Sequence, residues 1–389
     1  MPGRNFLFVP GPTNVPDRIL RAMHRAQEDH RSSVFPDLTR GLLTDLPKIF
    51  GATKGQAFIF PASGTAMWET AIVNALSPGD RVLAVRNGMF SHLFIDTATR
   101  LGMQVDLIEV EWGDAISAAA IGEKLRADKA GAIKAVLVVH NETATGVTSD
   151  MAAIRSEMDA AGHGALLMVD GVSSVASLDF RLDEWGVDFA IAGSQKGFMM
   201  PAGLGLLCVG PKGLAAIPNA RSPRAFFDLR DHMTSNATGY FPYTPALSHL
   251  HGLRESLDML LAEGMPAVAA RHRRLAEGVR RAVSAWGLAV CAKDPATQSD
   301  TVTAIMVPPN ADAEAVRALA FKRYDLALGA GLGQLRGKAF RIGHLGDLNA
   351  LMLLGALAGT EMTLRDLGIP IEAGVGVAAA EEWYRSSAA

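Results

Sequence analysis

The segment from Ala165 to Gly205 constrains this chain more than any other: ALLMVDGVSSVASLDFRLDEWGVDFAIAGSQKGFMMPAGLG. Ala165–Val169 is an apolar run that ends in Asp170, and Val187–Ala192 is a second run that ends in Gly193-Ser194-Gln195-Lys196. Small residues and a polar, surface-like stretch separate them. Short apolar runs without alternation are the pattern of strands buried on both faces of a parallel sheet. Ligands of such sheets bind outside the carboxyl ends of the strands. The spacing of 26 residues (196 − 170) leaves room for a crossover connection and one strand. The sheet therefore presents Asp170 and Lys196 to one crevice.

A carboxylate and an amine delivered from neighbouring strand ends suit pyridoxal 5′-phosphate (PLP). That cofactor needs a lysine amine for its aldehyde. It also needs a carboxylate opposite the ring nitrogen, to keep the nitrogen protonated and electron-withdrawing. The competing reading is an ordinary ion pair between a strand-end Asp and a surface Lys.

Upstream, Phe6–Val9 reads as a strand followed by a Pro- and Gly-rich loop, Pro10-Gly11-Pro12-Thr13-Asn14, which brings backbone close to a ligand or crosses a partner subunit. Leu38, Leu42, Leu46 and Ile49 recur at helical spacing, and Pro47 is expected to kink that helix or end it early. Gln56–Phe60 is a strand that runs through Pro61-Ala62-Ser63-Gly64-Thr65 into a helix over 66–76. A small-residue turn at a helix start directs free N–H groups and the positive end of the dipole at an anion, and Ser63 and Thr65 add hydroxyl donors. The same residues also cap helices routinely. Asp80–Arg86 is a strand ending in Asn87-Gly88-Met89-Phe90-Ser91-His92, where Phe90 is placed to stack on a planar ring or to fill the core. Strands over 104–110 and 135–140 flank a helix near 117–128, and the second strand ends in the donor-rich run His140–Gly146. The alternation of strand and helix through residue 210 implies a mostly parallel sheet with helices on both faces.

Beyond Pro211 the pattern loosens. Residues 221–243 read as a polar-aromatic loop region, and long helices follow over 245–263 and 266–286. The run Arg271-His272-Arg273-Arg274 reads as a solvated face. Strands at 301–307 and 339–342, with helices at 313–323 and 348–367, make a second, smaller α+β unit. The expected division is an N-terminal arm (1–20), a large domain (21–265) and a small C-terminal domain (266–389).

With 389 residues, 49% of them hydrophobic and 20% charged, the chain has the balance of a water-soluble globular protein. A net charge of −3 gives no electrostatic footprint for nucleic acid or anionic membrane. No run reaches transmembrane length. Cys208 and Cys291 are far apart in apolar contexts, so they read as buried free thiols of a reducing compartment, without metal-ligand spacing. A cytoplasmic location is expected.

The runs FVPGPTNVP, DHRSSVF, HNETATGV, VDGVSSV, LDEWGVD, GSQKGF and FRIGHLG, in this order, resemble the serine–glyoxylate aminotransferases of the alanine–glyoxylate and serine–pyruvate group of class-V, fold-type I PLP enzymes. The likeness spans essentially the whole chain. It implies an α/β fold with a mostly parallel sheet of the seven-stranded type flanked by helices, plus the small α+β domain, in a homodimer with shared active sites. Residue by residue, it implies that Lys196 holds the PLP aldehyde and Asp170 pairs with the ring nitrogen. Ser63, Gly64 and Thr65 hold the phosphate with help from Gln195. Thr143 lies near the ring hydroxyl, Phe90 stacks on the ring, and Arg341 binds the substrate carboxylate. Tyr243 and Thr244 belong to a loop that reaches the partner subunit's phosphate. Phe241 stands where a related pattern has Tyr, which leaves open whether Tyr240 or Tyr243 supplies the hydroxyl.

The implied reaction transfers the amino group of a small L-amino acid to glyoxylate, giving glycine and a 2-oxo acid. The resemblance puts serine ahead of aspartate as donor; aspartate also brings a second carboxylate, which requires a second cation in a partly desolvated site. Arg31 is the candidate for that cation. The alternatives are chiefly aspartate–glyoxylate transamination, or a PLP lyase of the same fold. A desulfurase needs a mobile nucleophilic Cys, which neither cysteine resembles. A PLP-binding regulator lacks a DNA-binding extension here, and a dehydrogenase lacks GxGxxG after the first strand.

Overall fold

The computed structural model describes residues 5–387. Seven strands make the large sheet: β2 (Gln56–Phe60), β3 (Arg81–Arg86), β4 (Gln104–Glu109), β5 (Ile133–Val139), β8 (Leu166–Asp170), β9 (Phe189–Gly193) and β10 (Gly205–Val209). β1 (Phe6–Phe8) precedes them, and β6 (Asn141–Glu142) and β7 (Val147–Thr148) form a two-stranded ladder beside the sheet. The order in the large sheet is β2-β10-β9-β8-β5-β3-β4. All neighbours are parallel except those of β10, which runs antiparallel to both β2 and β9.

β8, β9 and β10 are buried at every position, as uninterrupted apolar runs require. Alternate residues serve different faces. Val136, Val138, Leu167, Val169, Ala190 and Ala192 enter one core, and Ala135, Leu137, Leu166, Met168, Phe189 and Ile191 enter the other. Helices cover both faces, so the carboxyl strand ends are the open rim.

The smaller sheet has the order β1-β12-β13-β11, with β11 (Val302–Met306), β12 (Leu326–Ala330) and β13 (Ala339–Gly343). The helices Met265–Ala285, Ala350–Asp366 and Val375–Ser386 pack around it. β1 pairs in parallel with β12, Phe6 opposite Leu326, so the first strand of the chain completes the last sheet.

Several local expectations are corrected. The helix Phe35–Ile49 runs past Pro47, because the proline falls in its last turn and the fully buried Leu46, Ile49 and Phe50 hold that turn against the core. The run that follows the strand over 80–86 opens a helix, Met89–Arg100, which was not anticipated. The loop-like stretch after residue 221 contains the helix Leu229–Ala237, whose Asp228 side chain accepts from the Arg230 N–H. β12 was not anticipated. His272 is not on a solvated face: it is buried, bonded to the Val268 carbonyl and to the Gly346 N–H.

Candidate active site

Asp170 ends β8, and Lys196 lies three residues beyond the end of β9, the adjacent strand. Asp170 is 3% and Lys196 8% exposed. Burial pushes the Asp170 carboxyl up to about 7, a shift opposed by the Val172 N–H at 2.8 Å and reinforced by the nearby Glu142 charge. Burial likewise pushes the Lys196 amine down to about 8, aided by the Arg341 cation and opposed by Asp170. The Lys196 ammonium donates to the Pro10 carbonyl of the N-terminal loop. That loop is pressed on the lysine: a Cβ at Gly11 would sit 2.5 Å from Lys196 Cδ. Thr13 fastens it, its N–H bonded to the Gln195 carbonyl at 3.2 Å and its hydroxyl to the Lys196 carbonyl at 3.3 Å.

Ser63 precedes the helix Gly64–Ala75, and its hydroxyl does not cap that helix. Gly64 is buried, Ser63 half-buried and Thr65 exposed. The first amides of a helix have no intrahelical acceptors. Gln195 converges on the same point, because a Cβ at Gly193 would lie 2.8 Å from Gln195 Oε1 and 3.3 Å from the Gly64 nitrogen. Gln195 Oε1 is buried without a partner.

The opposite wall is the turn after β5. The Thr143 hydroxyl donates to Ser173 Oγ at 2.8 Å, and its carbonyl accepts from Arg341 Nη1 at 2.9 Å. Arg341 comes from β13, is 7% exposed, and uses Nε on the Ala330 carbonyl at 2.7 Å. Nη2 and the second Nη1 proton remain as an end-on fork for a carboxylate. Burial lowers the guanidinium to about 10, with Glu142 working against the shift. Phe90 is half-buried at the start of the helix Met89–Arg100.

Tyr243, Thr244 and Arg31 are not part of this cluster. All three are exposed. The Tyr243 hydroxyl donates to Asp231, and its ring stacks on Phe226 with centroids 5.2 Å apart. Tyr240 donates to the Ser32 carbonyl at 3.2 Å, which fastens the loop of Arg31 to the loop of Tyr243 and Thr244.

Three contributors escaped the sequence reading. Trp68, buried in the helix Gly64–Ala75, has an indole N–H without a well-formed hydrogen bond that still lies near enough to Asp170 to hold its carboxyl down in part. Ser173, three residues past Asp170, links Thr143 to Asn141. Glu142 is fully buried. A polar residue three positions after Asp170, inside the small-residue run, was the available signal for Ser173.

These features fit PLP. An anion-seeking helix start lies beside an unsatisfied Gln195 amide, a buried carboxyl and a buried amine come from adjacent strands, and a buried guanidinium keeps two donors free. With that site described, the class is defined: the chain belongs to the class-V aminotransferases, a family (Aminotransferase class-V) that matches residues 5–333, and it is a PLP-dependent enzyme. It is 58% identical over 391 residues to a serine–glyoxylate aminotransferase of Methylorubrum extorquens, covering 99% of this chain and 97% of the relative. It is 52% identical over 389 residues to an L-aspartate–glyoxylate aminotransferase of Paracoccus denitrificans, covering 100% and 98%. Among solved structures, the ureidoglycine–glyoxylate aminotransferase of Bacillus subtilis superposes with a TM-score of 0.91 at 27% identity, over 99% of both chains.

Proposed function

We propose that this enzyme transfers the amino group of a small L-amino acid, L-serine first and L-aspartate second, to glyoxylate, yielding glycine and hydroxypyruvate or oxaloacetate. The observation that carries the reading is the buried Arg341, which keeps part of its guanidinium unbonded and lies near enough to Lys196 to act on it, as Asp170 does. One substrate carboxylate suffices to fill that fork, and glyoxylate and serine each bring one. The names of the two relatives above support the acceptor and both donors.

Bound PLP supplies an electron-withdrawing ring and a carbon that accepts the amino group. In this reading Asp170 holds the ring-nitrogen proton, and Lys196, a buried amine that is readily neutral, carries the proton away from the substrate Cα. Ser63, Gly64, Thr65 and Gln195 bind the phosphate, Phe90 stacks on the ring, Thr143 lies near the ring hydroxyl, and Arg341 orients the substrate carboxylate. The arm, large and small divisions at 1–20, 21–265 and 266–389 belong to the same reading. The lyase alternative is disfavoured by the thiols: Cys208 lies fully buried within β10 and burial drives its ionisation far up, while burial pushes Cys291 up to about 11.

The donor test is steady-state kinetics at saturating glyoxylate, with glycine and the 2-oxo acid measured. Serine is expected to give the higher kcat/KM. A higher value for aspartate, falling selectively in Arg31→Ala, would reverse the order and make Arg31 the cation for the second carboxylate.

A cytoplasmic homodimer completes the reading. Tyr243, Phe226 and Val34 are large exposed hydrophobic side chains; Tyr243 stacks on Phe226, and Tyr240, three residues before it, donates to the Ser32 carbonyl two residues before Val34. That face suits a second copy whose phosphate site Tyr243 and Thr244 would reach. Light scattering on the active enzyme is expected to give the dimer mass. A fully active monomer would refute shared sites.

A further inference from the structure

We infer that Glu142 is a positioning residue, whose carboxylate clamps the segment bearing Phe90 to the turn bearing Thr143 and so fixes these two contacts to the cofactor ring relative to each other. This rests on the proposed placing of the PLP ring against Phe90 with its hydroxyl near Thr143.

Glu142 belongs to β6, at the rim of the large sheet, and it is fully buried. Its Oε1 accepts from the Phe90 N–H at 3.2 Å and from the Ala144 N–H at 3.0 Å, and Oε2 accepts from the Ser91 N–H at 2.9 Å. Phe90 and Ser91 lie in the first turn of the helix Met89–Arg100, where backbone donors lack intrahelical acceptors. A carboxylate is favoured there by the helix dipole. The cap is not local, since it crosses 52 residues from Phe90 to Glu142. One side chain therefore fixes both the helix start that aims Phe90 and the turn on either side of Thr143.

The neighbouring chemistry depends on that turn. Thr143 donates to Ser173 and its carbonyl holds Arg341 Nη1, so a shift of the turn moves a ring contact and the substrate fork together. The local backbone is shaped around the clamp. A Cβ at Gly88 would lie 2.3 Å from Glu142 Cγ and 2.8 Å from Oε2. Gly88 has extended backbone (φ 175°), so alanine is conformationally admissible there and would act only by displacing the carboxylate. Burial raises the Glu142 carboxyl above its usual range, and the three N–H groups act to keep it ionised.

The test uses cofactor-free protein titrated with PLP, read by the dissociation constant and by the circular dichroism induced in the bound cofactor. Glu142→Gln keeps the size and two acceptor bonds but turns an amide donor toward the Ser91 N–H. It is expected to weaken PLP binding about tenfold, the scale of one lost charge-assisted hydrogen bond. The induced signal should fall as well. Gly88→Ala should do the same with every charge in place, and the double variant should be little worse than either single one, because both act through one carboxylate. A merely structural role would lower the melting temperature and leave the induced signal unchanged. If Glu142→Gln does not fold, Gly88→Ala decides: weaker binding with a reduced signal supports the clamp, and unchanged values overturn it. Wild-type protein that binds no PLP at Lys196 would remove the underlying site reading. Wild-type loading with unaltered binding and signal in both variants would remove only the role of Glu142.

Discussion

Lys196→Ala is expected to abolish borohydride-trapped PLP on the protein and to lower turnover by roughly 10⁴-fold or more, since the proton-transfer contribution alone reaches about that scale. The fold should survive. The Lys196 amine makes one bond to protein, to the Pro10 carbonyl, and it is a desolvated charge whose removal relieves a cost. Thermal unfolding of the cofactor-free variant should therefore stay close to wild type or rise. Undiminished trapping in a folded Lys196→Ala protein would transfer the role to another amine. Among the described residues, no other lysine is buried.

Asp170→Asn should retain PLP binding in part and lose turnover by about 10²–10³-fold, the scale of removing one preorganised electrostatic partner. A neutral amide no longer favours a proton on the ring nitrogen. The variant also has a signature without cofactor. Burial raises the Asp170 carboxyl from 3.8 to about 7, so the folded chain holds that proton more tightly than the unfolded chain. The resulting stability is present at low pH and is lost as pH rises from about 4 to about 7. Cofactor-free Asp170→Asn should then melt above wild type near about pH 8, with the gap narrowing toward about pH 5. A pH-independent difference would mean that Asp170 is not the group titrating. Near-normal turnover would assign the ring nitrogen to another partner.

The centre of the fold was legible because its strands are buried on both faces, which makes them uninterrupted apolar runs. Asp170 and Lys196 followed from the rule that ligands gather at carboxyl strand ends. What escaped was determined at a distance. The helix Met89–Arg100 begins in residues that look like a loop, because its cap comes from Glu142, far along the chain. Glu142 itself stood in a donor-rich run with nothing to mark it as buried. Pro47 was read by its local rule, and buried Leu46, Ile49 and Phe50 overrode that rule. Tyr243, Thr244 and Arg31 are exposed and stand outside the cluster within one chain.

The pairing of β1 with β12 has a consequence for biosynthesis. Phe6 meets Leu326, a separation of 320 residues (326 − 6), and the loop that presses on Lys196 begins directly after β1. A ribosome-bound chain emerges with every strand of the large sheet available once Val209 has appeared. The first strand still has no neighbour at that stage, and Arg341 has not yet been made. β1 gains its partner only once Leu326–Ala330 has been made. Pairing across such a span is among the slowest steps in folding. A product cut short before β12 would thus carry every strand of the main sheet while β1 still lacked its neighbour.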